Sequence, residues 1–263
     1  MKNRITRLFE KKEKNILSIF YTAGFPGLND TQRIAESLEA AGADMIEIGI
    51  PFSDPIADGP TIQESNKISL DQGMHVALLM KQVRELRSTV TIPVVLMGYL
   101  NPVMQYGIEK FLRDAADAGV DGLILPDLPL DEYLKEYQSL AEELNLSVSF
   151  LIAPTTSESR IRKIDAVSSG FIYAVSSSST TGAKKEFTAD QIAYFQKLQS
   201  LNLKNPFLIG FGISSYQTYR QACSYGAGAI VGSSFITALK DSKDLTSDIV
   251  SFIKNIKSEK EQR

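Results

Sequence analysis

Two reactive residue types are almost missing from this 263-residue chain, which has one cysteine, Cys223, and one histidine, His75. A single cysteine excludes a disulfide framework within the chain and a cluster of thiolate metal ligands. One histidine also argues against the usual zinc sites. The predicted elements place Cys223 in a helix, where it packs, and His75 at the surface between helices. We therefore expect chemistry that uses neither residue, in a reducing cytoplasm.

The chain also lacks long apolar runs and an excess of positive charge. Residues 1–12 contain no apolar run long enough for a signal peptide, and no later stretch is long enough to span a bilayer. The 28 Lys and Arg against 31 Asp and Glu leave a formal net charge of -3, which argues against nucleic acid as the main partner. We expect a cytoplasmic protein that binds neither membrane nor nucleic acid.

Short strands rich in Val, Ile and Leu alternate with helices along the chain, an arrangement typical of a parallel sheet covered by helices. The pattern predicts an amphipathic helix over 3–12 and then strands over 16–21, 45–50, 93–98, 122–125, 147–152, 171–175, 207–210 and 229–231. Helices are predicted over 31–41, 61–70, 74–88, 108–118, 131–144, 157–167, 188–201 and 214–225, with a break at Gly73 and two more pieces in 234–257.

Eight such units without a linker predict an α/β fold. The fold class is a (β/α)8 TIM barrel with an extra short N-terminal helix, as a single domain over residues 1–263. The alternative is a doubly wound open sheet, which usually carries a Gly-x-Gly-x-x-Gly turn after its first strand. Residues 22–27 read Thr-Ala-Gly-Phe-Pro-Gly and do not fit that turn.

The second strand carries a carboxylate in an apolar setting. Glu47 lies between isoleucines, and the proline-rich loop 51–60 that follows holds Asp54 and Asp58. A carboxylate in the middle of an apolar strand is costly to bury unless it is paired or protonated. This pattern could present two acids with different pKa values to one substrate. The alternative is a Glu paired with a neighbouring cation, beside aspartates that only make turns.

The last two strands end in loops that suit an anion. Residues 210–215 and 232–234 each place glycine at a strand end and serine just before a helix. Backbone N–H groups can approach an anion closely there, and barrels often bind phosphate at these two loops. The loop 176–185 adds hydroxyl groups and two lysines. Tight turns and helix caps are the alternative, but both loops at the expected places favour a phosphorylated small molecule.

The residue inventory narrows the reaction. The predicted strands contain no lysine, which weighs against a Schiff-base aldolase or decarboxylase. A nucleophile elbow and a dinucleotide fingerprint are also missing, and the acids are too dispersed to favour a magnesium site. Acid–base chemistry by carboxylates remains.

Residues 46–63, Ile-Glu-Ile-Gly-Ile-Pro-Phe-Ser-Asp-Pro-Ile-Ala-Asp-Gly-Pro-Thr-Ile-Gln, resemble the signature of the tryptophan synthase alpha chain family. The resemblance extends from residue 9 to the final helix and includes the motifs at 119–122, 127–129, 210–214 and 231–233. It implies cleavage of indole-3-glycerol phosphate to indole and glyceraldehyde 3-phosphate, without a cofactor in this chain. It also implies an alpha2beta2 heterotetramer, in which a beta chain carrying pyridoxal phosphate receives the indole through a tunnel.

The resemblance also implies roles for individual residues. Glu47 would be the general acid that protonates indole C3, and it or a second base would take the glycerol hydroxyl proton. Asp58 would bind the indole N–H and stabilise the charge on the ring. A Glu inside the barrel should have a raised pKa, whereas Asp58 should stay ionised. The matching phosphate-binding residues are Gly182, Gly212, Gly232 and Ser233. The predicted indole pocket and its loop comprise Phe20, Met97, Tyr99, Ile124, Tyr173 and Thr181, although ordinary barrel filling is the alternative for the strand positions.

One position departs from the family pattern. Many members carry an arginine in the loop after strand six, where this chain has Ser177. Lys184 or Lys185 could supply the lost charge, and Thr181 could keep the link from this loop to Asp58. The loops after strands two and six, with the neighbourhood of residues 101–102, would face the beta chain.

Two other functions stay open at this point. One is another phosphosugar-binding barrel, an isomerase or a ring-closing synthase, although ring closure in that group relies on strand lysines. The other is a catalytically idle partner that only activates a beta chain. The missing arginine favours the second alternative, whereas the presence of both Glu47 and Asp58 argues against it.

Overall fold

The structure is a computed structural model that describes residues 3–176 and 186–258. Parallel strands form the centre of the molecule. Nine strand segments form one parallel sheet in the order β5-β4-β3-β2-β1-β9-β8-β7-β6. The segments are β1 Ile16–Thr22, β2 Met45–Gly49, β3 Val94–Met97, β4 Gly122–Ile124, β5 Ser147–Val148, β6 Leu151–Ile152, β7 Ile172–Val175, β8 Phe207–Gly210 and β9 Gly228–Val231.

The predicted strand over 147–152 closes the sheet into a barrel. It is divided into β5 and β6, which are separated by Ser149 and Phe150. The Ser149 N–H donates to the Leu123 carbonyl oxygen in β4 at 3.0 Å, and the Tyr173 N–H in β7 donates to the Phe150 carbonyl oxygen at 3.0 Å. One stretch therefore joins both edges of the sheet, and the fold is the expected (β/α)8 TIM barrel.

The alternation of side chains within each strand divides the apolar residues into two cores. In β2, Ile46 and Ile48 belong to the larger core between the sheet and the helices. Met45 belongs to a smaller core inside the barrel, and Glu47 points to the same side as Met45 because it lies two residues further on. The chain's second strand thus places a carboxylate inside the barrel.

Most helices begin and end within a few residues of their predicted bounds. They are α1 Arg4–Lys11, α2 Asp30–Ala40, α3 Pro60–Asp71, α4 Val76–Leu86, α5 Leu100–Tyr106, α6 Ile108–Ala118, α7 Leu130–Glu132, α8 Gln138–Glu143, α9 Glu158–Val167, α10 Ala189–Ser200, α11 Tyr216–Tyr225, α12 Ser233–Lys240 and α13 Leu245–Lys257. The helix predicted over 131–144 is interrupted by a π-helical turn, Tyr133–Tyr137, between α7 and α8.

No helix was predicted over the residues of α5, which include a proline. Pro102 lies in the first turn of α5, where a missing N–H costs no hydrogen bond within the helix. Gly107, with a φ of +92°, then separates α5 from α6. His75 is exposed, as expected, and its Nδ1 accepts a hydrogen bond from the Leu78 N–H at the start of α4.

Helix α1 closes the N-terminal end of the barrel, as predicted. Ile5 is fully buried in the inner core. The Asn3 side-chain amide donates to the carbonyl oxygens of Asp121 and Asn145 at 2.6 and 2.7 Å. Because these two residues precede β4 and β5, α1 is fixed beneath the strand starts. The opposite end, where the strands finish, is left for a ligand.

Asp121 joins three elements at that closed end. Its carboxylate forms ion pairs with Arg4 of α1, at 3.0 Å, and with Arg87, and it accepts a hydrogen bond from the Val94 N–H at 2.9 Å. The side chains of Arg87 and Asp121 are buried. Removing one partner of such a buried ion pair strongly destabilises the folded protein.

Within residues 3–176 and 186–258, no helix combines the length and apolar character needed to cross a membrane. The single domain over 1–263 stays a prediction, because both ends and residues 177–185 lie outside the described ranges.

Candidate active site

A cavity of about 460 Å³ opens at the C-terminal ends of the strands. Its wall includes Gly49, which ends β2, and Gly98, which follows β3. Barrel enzymes hold their substrates at this end. Eight predicted site residues line the cavity, namely Phe20, Asp58, Met97, Tyr99, Tyr173, Gly212, Gly232 and Ser233.

Glu47 is fully buried inside the barrel and does not line the cavity. Its register partner on β1 is Phe20, which does line the cavity, so the carboxyl group lies just behind the wall. Burial raises the pKa of Glu47 to about 7, and a hydrogen bond from Ser18 opposes that rise. The predicted increase is therefore confirmed, and Glu47 is partly protonated near neutral pH.

The two carboxyl oxygens of Glu47 have different surroundings. Oε1 accepts a hydrogen bond from the Ser18 hydroxyl at 2.7 Å. Oε2 is buried and has no hydrogen-bond partner among the described residues. A buried unpartnered oxygen is unfavourable in the ionised form, which agrees with the raised pKa.

Asp58 lies in the loop between β2 and α3. Its Oδ2 accepts a hydrogen bond from the Tyr99 hydroxyl at 3.1 Å, and the Tyr99 oxygen accepts one from the Ala57 N–H at 3.0 Å. Burial raises the pKa of Asp58 to about 6, against the effect of the Tyr99 hydrogen bond. Asp58 is thus mostly ionised at pH 7, but the cavity wall holds its pKa closer to neutral than a solvated loop would.

Tyr173 is buried and interacts electrostatically with both acids. Burial raises its pKa well above the usual value, and the negative charges of Glu47 and Asp58 add to the rise. The phenol therefore stays protonated. A Cβ atom on Gly210 would lie 2.3 Å from the Tyr173 hydroxyl oxygen, so the glycine at the end of β8 makes room for this side chain.

The opposite side of the cavity has the geometry of an anion site. In α12 the N–H groups of Phe235 and Ile236 donate to the Gly232 carbonyl oxygen at 2.8 and 3.0 Å. The N–H groups of the first helical residues, beginning with Ser233, have no acceptor within the helix and lie at the cavity edge. Gly212, with a φ of +75°, provides the neighbouring turn. A phosphate group would suit this helix N-terminus.

Besides Glu47, three predicted residues are not placed in the cavity wall. Ile124 is fully buried in the inner core, and Pro126 forms the wall after β4 instead. Thr181 and Gly182 lie outside the described residues, as do Ser177, Lys184 and Lys185. The roles predicted for them stay predictions.

Several residues of the site were not predicted from the sequence. Asn66 is 4% exposed in α3 and lines the cavity, together with Phe211. Ser18 is a buried polar residue in an apolar strand and touches Glu47. The signal that singled out Glu47, a polar side chain on the inner face of an apolar strand, would also have found Ser18. Phe211, with a φ of +68°, had no such signal.

In the described part of the chain, no three His, Cys, Asp or Glu side chains come together as a metal site. That this chain works without a cofactor stays a prediction.

Comparison with known proteins identifies the family. Residues 6–262 match the family model described as the tryptophan synthase alpha chain. The chain is 53% identical to the tryptophan synthase alpha chain of Parabacteroides distasonis, over 90% of this chain and 93% of the relative. It is 51% identical to that of Flavobacterium psychrophilum, over 98% and 99%.

Solved structures agree with this result. The crystal structure of tryptophan synthase subunit alpha from Legionella pneumophila superposes with a TM-score of 0.88 at 34% identity, covering 98% of both chains. Tryptophan synthase from M. tuberculosis, in an aminoacrylate-bound form, gives a TM-score of 0.85 at 29% identity, covering 97% of this chain and 98% of that chain. With the sequence motifs, the barrel and the paired acids, these matches show that the chain belongs to the tryptophan synthase alpha chain family.

Proposed function

We propose that this chain cleaves indole-3-glycerol phosphate to indole and glyceraldehyde 3-phosphate, the carbon–carbon lyase reaction of its family, with Glu47 as general acid. The observation that carries the proposal is the placement of two acids at one cavity. Glu47, with a pKa of about 7, lies behind the wall, and Asp58, with a pKa of about 6, lies in it. Acids with pKa values near neutral pH are the most effective in proton transfer.

The two sides of the cavity suggest how the substrate lies. Its phosphate would bind at Gly212, Gly232 and the start of α12, where the Ser233 N–H has no acceptor within the helix. The indole ring would then lie towards the opposite wall, where the indole N–H donates to the Asp58 carboxylate. A cavity of about 460 Å³ lies within the usual size range of small-molecule sites.

In the proposed cleavage, protons move between the substrate and Glu47 or a second base, while Asp58 stabilises charge. Glu47 gives its proton to indole C3, and the Asp58 carboxylate stabilises the positive charge that develops on the ring. The glycerol hydroxyl next to C3 loses its proton to the Glu47 carboxylate or a second base. Its O–H electrons form the aldehyde C=O, and the electrons of the broken C–C bond restore the aromatic indole. Since Glu47 lies behind the cavity wall, its contact with C3 would form when the substrate binds.

Family membership implies a tryptophan synthase beta chain as partner. We propose an alpha2beta2 assembly with pyridoxal phosphate only in the beta chain. Support comes from two exposed apolar side chains, Ile56 at 92% and Met104 at 57% exposure. They lie in the loop after β2 and in α5, the regions predicted to face the partner. Contact there would exclude water and favour closure, so the isolated chain should be slow. The cytoplasmic location stays a prediction.

The experiment is indole release from indole-3-glycerol phosphate by the purified chain, with and without a beta chain. We expect slow release that the beta chain stimulates. No release under either condition would contradict the proposal and favour the idle-partner alternative. The Glu47→Gln variant separates cleavage from activation of the beta chain. It should no longer cleave the substrate but should still stimulate the beta chain.

A further inference from the structure

The Ser18 side chain is the only hydrogen-bond partner of the Glu47 carboxyl group among the described residues. Ser18 lies in β1, and its hydroxyl donates to Oε1 at 2.7 Å. Both side chains are fully buried, so water does not compete for this bond. Ser18 pairs with Met45, one layer deeper in the barrel than Phe20 and Glu47. Oε1 is therefore held from the closed side of the barrel.

We propose that Ser18 is a positioning residue, which holds Oε1 of Glu47 and thereby assigns proton transfer with the substrate to Oε2. This inference rests on the proposed function, because it specifies how the general acid is held. Ser18 does not line the cavity and acts only through Glu47.

The hydrogen-bond geometry carries this assignment. An oxygen that accepts the Ser18 O–H is the better place for negative charge, so the acid proton resides on Oε2. Oε2 has no partner among the described residues, and its proton is not engaged before the substrate arrives. Without Ser18, both oxygens would be equivalent and the side chain would be free to adopt further rotamers.

The electrostatics agree with this geometry. Burial raises the pKa of Glu47, and the Ser18 hydrogen bond lowers it towards neutral pH. The titratable side chain Tyr173 on β7 interacts electrostatically with Glu47 and with Asp58, and its phenol stays protonated. At the level of Glu47, β1 and β3 present Phe20 and Val95. One layer deeper, β9 presents Ile230 beside Ser18, and none of these three residues ionises. Ser18 is thus the group that opposes the effect of burial on the pKa of Glu47.

The test compares Ser18→Ala with two controls. Ser18→Thr keeps the hydroxyl group. Ser149→Ala makes the same change at another buried serine, which has no hydrogen bond to Glu47. For Ser18→Ala we expect the alkaline limb of kcat to move up by about one pH unit and its plateau to fall by about three- to tenfold. KM should stay within twofold, because Ser18 does not contact the substrate. Both controls should retain the wild-type limb.

A direct titration makes the test independent of turnover. The carboxyl carbon of Glu47 is followed by ¹³C NMR against pH in glutamate-labelled protein, with Glu47→Gln to assign the signal. We expect the midpoint to rise in Ser18→Ala and to stay unchanged in Ser18→Thr. An unchanged midpoint in folded Ser18→Ala, or equal shifts in both variants, would overturn the role of Ser18. If the wild type titrates as expected but releases no indole, the proposed function fails instead.

Discussion

The two carboxyl groups of the site predict a narrow, bell-shaped pH dependence of cleavage. The mechanism needs Asp58 ionised and Glu47 protonated. Activity should therefore be lost below a pH of about 6, as Asp58 is protonated, and above about 7, as Glu47 ionises. With these two values, about 0.6 of the free enzyme has both groups in the active form at the optimum near pH 6.5. The measurement is kcat/KM for indole release, which reports the free enzyme.

Tyr99→Phe provides the perturbation that assigns the acid limb. The Tyr99 hydroxyl donates to Asp58 Oδ2 at 3.1 Å and holds its pKa down. Without this bond the acid limb should rise, by about one pH unit for a hydrogen bond to a charged group. Asp58 and Glu47 would then titrate together. The active fraction at the optimum would fall to about one quarter, at a pH of about 7.

The position of each limb is the decisive readout, because Tyr99 also lines the cavity and its loss can change substrate binding. The substrate phosphate ionises in the same range, but it contributes equally to wild type and variant. The alkaline limb should stay in place. If the acid limb does not move in Tyr99→Phe, Asp58 is not the group that must be ionised, and the assignment of roles is refuted.

Three further substitutions, the first with a matched control, test the stability of the barrel and the anion site. Asp121→Ala leaves the buried Arg87 guanidinium unpaired and should lower the free energy of unfolding by about 3–5 kcal/mol in urea titrations. Asp71→Ala, which removes an exposed ion pair, should change it by less than about 1 kcal/mol, and equal losses would show that burial does not matter. Gly228→Ala would place a Cβ atom 2.0 Å from a carbonyl oxygen of β1. It should therefore cost about 3 kcal/mol or more, and a wild-type melting temperature would contradict the register. Ser233→Ala should raise KM by about tenfold with little change in kcat, since it weakens phosphate binding; an unchanged KM would remove this side chain from the site.

The barrel could be predicted from the sequence because its signals are local. Inward and outward side chains alternate in β2, and glycine ends some of the helices, as Gly119 does for α6 with a φ of +90°. The division of the predicted strand at 149–150 and the π-helical turn after α7 could not be predicted, since both depend on how neighbouring elements pack. No helix was predicted over α5, in which Pro102 occupies the first turn, the position where a helix accepts proline.

The candidate site was predictable where one residue carries the signal. Glu47 in an apolar strand and the Gly-Ser loop ends pointed to an acid and an anion site. Partners were harder to predict, because contacts across the barrel depend on register. Ser18 meets Glu47 only through the pairing of β1 with β2. Ile124 followed the pocket pattern, yet Pro126 forms the cavity wall beyond its strand.

In the proposed mechanism, Glu47 supplies the proton that starts cleavage. The most direct test is the single-turnover rate of indole-3-glycerol phosphate cleavage by Glu47→Gln in complex with a beta chain. Glutamine keeps the size of the side chain but cannot act as an acid at neutral pH. We predict a rate lowered by about 10²–10⁴-fold or more, with substrate affinity within about threefold of wild type. A single-turnover rate within tenfold of wild type would show that Glu47 is not the general acid.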